Sequence, residues 1–202
     1  MVNVQHNAQT GTDLHENKGV AAAANNTVAT ASSGTTVWRL LDNTNLGPLA
    51  NPFGSNYIHL QDQKTSGTDG GTFSGGAWRT RTLNTKVTDD VGISLASNQF
   101  TLPVGTYFIY ATAPGGVVGG HVLKLRNFTD SSDILFGTTE YSDPGTGQNY
   151  SRSIVSGRFT LSGTKTLEMD HRCTNSRNTD GFGKAANLGT ETYTDVHIWK
   201  IG

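Results

Sequence analysis

The residues able to do acid–base or metal chemistry are few and scattered. Six histidines stand at His6, His15, His59, His121, His171 and His197, and no two of them form an H-x-H or H-x-x-x-H ligand pair. Two carboxylates sit beside a histidine in sequence, in Asp170-His171 and in Asp195-Val196-His197. On a strand, Asp195 and His197 share one face, an arrangement that serves a weak metal or acid–base site and equally a surface hydrogen-bonded pair. The second is the reading adopted. The single cysteine, Cys173, excludes an intrachain disulfide and a cysteine metal cluster. Its neighbours in His171-Arg172-Cys173-Thr174 could lower a thiol pKa, but a plain buried thiol is the expectation.

No G-x-S-x-G, P-loop or H-E-x-x-H motif occurs. Gly115-Gly116-Val117-Val118-Gly119-Gly120 lacks the lysine and following helix of a phosphate cradle and reads as a loop or bulge between strands. Asp69-Gly70-Gly71 and Asp180-Gly181-Phe182-Gly183 offer too few carboxylates for a calcium loop. No spacing marks a carboxylate pair for glycoside cleavage. No catalytic residue, cofactor or metal is therefore assigned, and a non-enzymatic protein is expected.

The formal net charge is −1 and no run of Lys or Arg appears, which argues against a nucleic-acid surface. In Trp78-Arg79-Thr80-Arg81, alternation puts both arginines on one face, read as solvated. No stretch approaches the ~20 apolar residues of a membrane span, and the N-terminus has no secretory pattern. Folding in a cytosol without export is the expectation.

The elements that must position any site are strands. Gly numbers 25, charged residues are 15% and hydrophobic residues 34%, so strand formers alternate with turn formers. Residues 1–36 are polar and small, without the large side chains of a core of their own, and read as an attachment and trimerisation arm. Residues 37–71 read as short strands (Val37–Leu41, Tyr57–Gln61) and a Gly/Ser/Thr linker. Residues 72–202 carry the regular pattern: a long central strand Thr106–Ala113, a strand His121–Phe128 with Leu123 and Leu125 on one face, a turn at Asp130–Asp133, and a strand from Ile134 to Gly137. Strands Ser153–Leu161 and Thr164–Asp170 flank Ser162-Gly163, a predicted tight hairpin, and Tyr193–Ile201 closes the series. Many strands with no amphipathic helix between them predict an all-β, antiparallel jelly-roll sandwich.

Two of these strands carry a likeness. Leu102-Pro103-Val104-Gly105-Thr106-Tyr107-Phe108-Ile109-Tyr110-Ala111 resembles the central strand of TNF-like jelly rolls, the fold of complement globular heads. Val196-His197-Ile198-Trp199-Lys200-Ile201 resembles the last strand of that fold in phage proteins, and Gly76–Thr85 resembles its opening strand. Separately, Thr12–Val20 with its H-x-x-K-G stretch, Asn26–Val28 and Gly34–Trp38 resemble a segment of tailed-phage head-fibre, decoration and tail-fibre proteins.

The resemblance implies a homotrimer with an extended N-terminal arm. From it, Tyr107, Ile109, Tyr193 and Trp199 are expected at the trimer interface, with Tyr110 a further candidate. Alternation sets Tyr107 and Ile109 against Phe108 and Tyr110, one pair for the core and the other for a partner. His15, Lys18, Gly19, Val20, Val28 and Trp38 are expected to attach to the virion. The implied role is a phage structural protein assembled in the host cytoplasm, a head decoration or head fibre held on the major capsid protein. The alternative is a tail-fibre or tail-tip protein binding a host-surface glycan or protein through Ser142–Gly147 and Asn175–Asp180. A membrane or nucleic-acid partner is not expected.

Overall fold

The computed structural model describes Thr27–Ser32, Thr35–Leu40, residues 56–145 and residues 149–202. The chain divides into two units, residues 1–52 and 53–202. In the first, β1 (Thr27–Ser32) and β2 (Thr35–Leu40) pair antiparallel, with Thr27 opposite Leu40 and Ser32 opposite Thr35. The expected arm therefore contains a strand. Val28 and Trp38 belong to this pair, while His15, Lys18, Gly19 and Val20 lie outside the described residues.

The second unit contains β3 (Tyr57–Lys64), β4 (Arg79–Thr80), β5 (Thr85–Asp89), β6 (Ser94–Ala96), β7 (Gln99–Leu102), β8 (Gly105–Gly116), β9 (Gly119–Asn127), β10 (Ser132–Ser142), β11 (Tyr150–Leu161), β12 (Lys165–Cys173) and β13 (Glu191–Lys200). One sheet runs β11-β8-β13-β3-β5. The other runs β10-β9-β12-β7-β6, with β4 also on β12. The two orders make an antiparallel jelly-roll sandwich, because the chain changes sheet after β3, β4, β5, β7, β8, β10, β11 and β12. Among the described residues there is no helix.

Two expectations change. Tyr57–Lys64, placed by sequence in a short-strand and linker region, is an internal strand between β13 and β5. The reason is its alternation: Ile58 and Leu60 are fully buried in the sandwich while Tyr57, His59 and Gln61 point the other way. Ser162-Gly163 is not a hairpin turn. β11 pairs with β8 and β12 with β9, β7 and β4, so the segment carries the chain from one sheet to the other. The Asp130–Asp133 turn does join a hairpin, β9 with β10.

The core is the space between the sheets. Ile58, Leu60, Tyr107, Ile109, Ala111, Val155, Val196 and Ile198 come from the five-stranded sheet. Phe100, Leu102, Leu123, Leu125, Leu167 and Met169 meet them from the six-stranded one. These side chains lie at every second position of their strands, as a sandwich demands.

Candidate functional site

Register decides what the five-stranded sheet shows outward. β13 lies between β3 and β8, with Trp199 opposite Tyr57 and Phe108, His197 opposite His59 and Tyr110, and Asp195 opposite Gln61 and Thr112. The alternate positions, Ile198 with Ile58 and Ile109, face the core. The outward face is thus a block of six rings. Tyr57 and Trp199 have centroids 5.2 Å apart, His59 and His197 4.2 Å, Phe108 and Trp199 6.0 Å, and Tyr110 and His197 6.3 Å. Phe108 is 38% exposed and Tyr110 40%, large values for rings on an internal strand.

Within this block His59, Asp195 and His197 form a polar centre. His59 Nε2 lies 2.7 Å from Asp195 Oδ1, and His197 Nε2 lies 3.1 Å from Asp195 Oδ2. The Gln61 amide donates to Asp195 Oδ1 at 2.9 Å, and the Tyr57 hydroxyl is hydrogen-bonded to His197 Nδ1. Burial would raise the Asp195 pKa, but the hydrogen bonds from Gln61 and His59 and the nearby His197 outweigh it and hold the carboxyl below its ordinary value.

The interface residues expected from sequence divide accordingly. Trp199 is on the outward face. Tyr107 and Ile109 are not: both are fully buried between the sheets, Tyr107 stacked on Phe159 at 5.5 Å with its hydroxyl donating to the Pro103 carbonyl at 2.8 Å. Their alternates, Phe108 and Tyr110, hold the outward positions. Tyr193 is also buried. A bulge between Thr192 and Asp195 shifts the alternation, so Tyr193 and Asp195, two residues apart, face opposite ways. The Tyr193 hydroxyl donates to the Thr68 carbonyl at 2.6 Å.

Arg79 and Arg81 do not share a solvated face. Arg79 is exposed, whereas Arg81 is completely buried. Arg81 donates to Thr194 Oγ1 at 2.9 Å and to the carbonyls of Pro114 at 3.2 Å and Phe182 at 2.9 Å, and its guanidinium lies 4.0 Å from the Phe182 ring centre. Burial is the main cause that brings its pKa down to about 9, with Asp62 opposing it. Beside it, His121 Nδ1 and His171 Nε2 are 3.0 Å apart, and His121 Nε2 is 2.9 Å from Ser151 Oγ. Burial, then the Arg81 charge, lowers both histidine pKa values, that of His121 to about 4. The pair is held neutral at pH 7.

Cys173 is buried and its thiol is pushed up to about 11 by burial, so it is a poor nucleophile at neutral pH. Asp180 is bonded to Arg177 at 2.6 Å and accepts from the Tyr150 hydroxyl at 2.9 Å. Asp69 Oδ1 accepts from the Ala185 amide at 2.8 Å, and Lys184 reaches Asp69 at 3.5 Å. The carboxylates of the two Asp-Gly segments are thus engaged by the protein's own donors.

Sequence reasoning missed Tyr57, His59 and Phe108 as outward residues and Arg81 as a core residue. The signal for the first two was the alternation of Tyr57-Ile58-His59-Leu60-Gln61. Nothing local marks Arg81, because its acceptors come from distant segments.

No protein-family model matches the chain, and no curated protein does. The solved structures it is similar to include the globular domain of zebrafish complement 1qA protein, with 13% identity and TM-score 0.44 over 73% of this chain and 98% of that one. Murine APRIL at pH 5.0 shares 11% identity and TM-score 0.43 over 71% of this chain and 98% of that one. The fold assignment stands on the strand order and register.

Proposed function

We propose that this chain is a non-enzymatic structural protein that self-associates as a homotrimer through the outward face of the β11-β8-β13-β3-β5 sheet. The carrying observation is that face itself: six adjacent rings on the three central strands, with Phe108 and Tyr110 more than one third exposed. Burying such rings against a second copy removes apolar area from water at about 25 cal/mol per Å², and ring pairs add further attraction. The threefold number comes from the resemblance of residues 72–202 to TNF-like jelly rolls.

The finer reading is an accessory phage virion protein, a head decoration or head fibre, with residues 1–36 bound to the major capsid protein. It rests on the resemblance of Thr12–Val20, Asn26–Val28 and Gly34–Trp38. Three arms on one trimer hold by avidity, because the second and third contacts are intramolecular. The test is deletion of residues 1–36 followed by incorporation into particles. The reading predicts a protein that still trimerises and loses its place on the capsid. Normal occupancy would overturn the attachment role.

A receptor-binding tail-fibre or tail-tip role is the second reading. It is favoured by one feature of the other sheet: Phe136 is 60% exposed, its ring lies 6.0 Å from Trp78, and Lys124 Nζ sits 4.0 Å above Trp78. An exposed Phe136 ring beside a half-buried Trp78 is a stacking surface for a sugar ring. Loss of cell attachment in a Trp78→Ala, Phe136→Ala protein that still trimerises would favour it.

A further inference from the structure

We propose that His59, Asp195 and His197 form a binding site for a divalent d-block cation of the zinc type, one per chain. Their ligand atoms, two imidazole nitrogens and a carboxylate oxygen, all lie within 4.8 Å of one another. Two imidazoles and one carboxylate are a donor set that suits zinc, cobalt or nickel and not the oxygen-seeking calcium or magnesium.

The strands make the set. Asp195 and His197 are alternate residues of β13, and His59 lies directly opposite His197 on β3. The two rings stack with planes 20° apart, which brings both Nε2 atoms to the same carboxylate. The present separations of 2.7 and 3.1 Å are hydrogen-bond lengths. A tetrahedral ion with bonds of about 2.0–2.2 Å needs its ligand atoms about 3.3–3.6 Å apart, so the pair of His59 with Asp195 must open by more than about half an ångström and that of His197 with Asp195 by less.

The surroundings fit a ligating arrangement. The hydroxyl of Tyr57 meets Nδ1 of His197, and the amide of Gln61 donates to Asp195. A ligating histidine typically bonds its other ring nitrogen to a partner that fixes its tautomer, and Tyr57 stands where that partner is needed. The side chains of His59, Asp195 and His197 are 16%, 29% and 24% exposed in the single chain, so an ion can enter from the outward side before that face is covered by another copy. Three protein ligands leave at least one coordination position for water or an added donor.

The three ligands come from one protomer, so the site does not depend on the self-association reading. The experiment titrates Zn²⁺ by calorimetry and Co²⁺ by visible absorption into the full-length chain. The same is done with Asp195→Asn, His59→Gln/His197→Gln and Phe108→Ala, each checked for fold by circular dichroism. One ion per wild-type chain is expected. Affinity should fall at least a hundredfold in Asp195→Asn and in the double histidine variant, which still contains His6 and His15. Phe108→Ala, which leaves the ligands in place, should bind one ion per chain whatever its mass. A folded wild type that takes up no stoichiometric Zn²⁺, or variants that bind as the wild type does, would overturn the site while leaving self-association standing. A wild type that binds one ion but remains a single chain would uphold the site and overturn the self-association reading.

Discussion

His59 and His197 face each other across β3 and β13 with ring centroids 4.2 Å apart, directly outside Leu60 and Val196 of the core. One peptide unit therefore separates a fully apolar interior from a polar and aromatic exterior on the same two strands. Substitutions on adjacent residues should therefore have different consequences.

Neighbours on β8 give the first prediction. Tyr107→Ala empties a core position between the sheets and should cost about 3–5 kcal/mol of stability. Tyr107→Phe loses only the hydrogen bond to the Pro103 carbonyl, about 1 kcal/mol. Phe108→Ala should leave monomer stability within about 1 kcal/mol and weaken association. Chemical denaturation of dilute protein measures all three.

Arg81 supplies the second. Its guanidinium satisfies Thr194, Pro114 and Phe182, which belong to three separate segments. Arg81→Ala strands these acceptors and the buried Asp62, and should cost about 3–5 kcal/mol in urea unfolding. Arg81→Lys should recover only part of that loss, because an ammonium lacks the planar fork.

Acid should destabilise the fold through His121 and His171. Both have folded pKa values below the ordinary 6.5, so the unfolded chain takes up protons first. Stability is fully present above about pH 6.5 and falls as pH drops from there towards 4, by up to about 1.4 kcal/mol per pH unit for each histidine. Asp62 and Asp170, raised by burial, act in the opposite direction as the pH falls through their folded values. The diagnostic is therefore a difference: His171→Gln should flatten the dependence of unfolding free energy on pH between 6.5 and 4. An unchanged slope would show that the pair does not titrate as described.

Two glycines make a contrast. A Cβ on Gly70 would meet the Phe182 carbonyl carbon and oxygen at 2.6 Å, whereas one on Gly163 would meet nothing within 4 Å. Gly70→Ala should cost about 1–3 kcal/mol through overpacking, and Gly163→Ala close to nothing. Thermal unfolding of the two proteins checks the pair.

These particulars show what can be read from a sequence of this kind. The long strands and the antiparallel sandwich were legible, because alternating residues such as Leu123 and Leu125 are a local property, whereas β1 and the short β5, β6 and β7 were not read as strands. The direction of a doubly apolar strand was not. Tyr107-Phe108-Ile109-Tyr110 offers rings on both sides, and only the pairing of Trp199 with Phe108 settles which side is out. Tyr193 was misplaced because the bulge before Asp195 shifts the parity of β13. The meeting of His59 with His197 and the burial of Arg81 depend on partners distant in sequence, most of them more than 100 residues away, so no local pattern announces them.

The most direct test is the mass of the full-length chain in solution. Sedimentation equilibrium of the wild type should give three chain masses. Phe108→Arg/Tyr110→Arg, which places charges in the middle of the ring block, should give one. Phe136→Arg, on the other sheet, should remain at three. A wild type that stays a single chain at high concentration, or a Phe108→Arg/Tyr110→Arg protein that keeps the wild-type mass, would contradict the account.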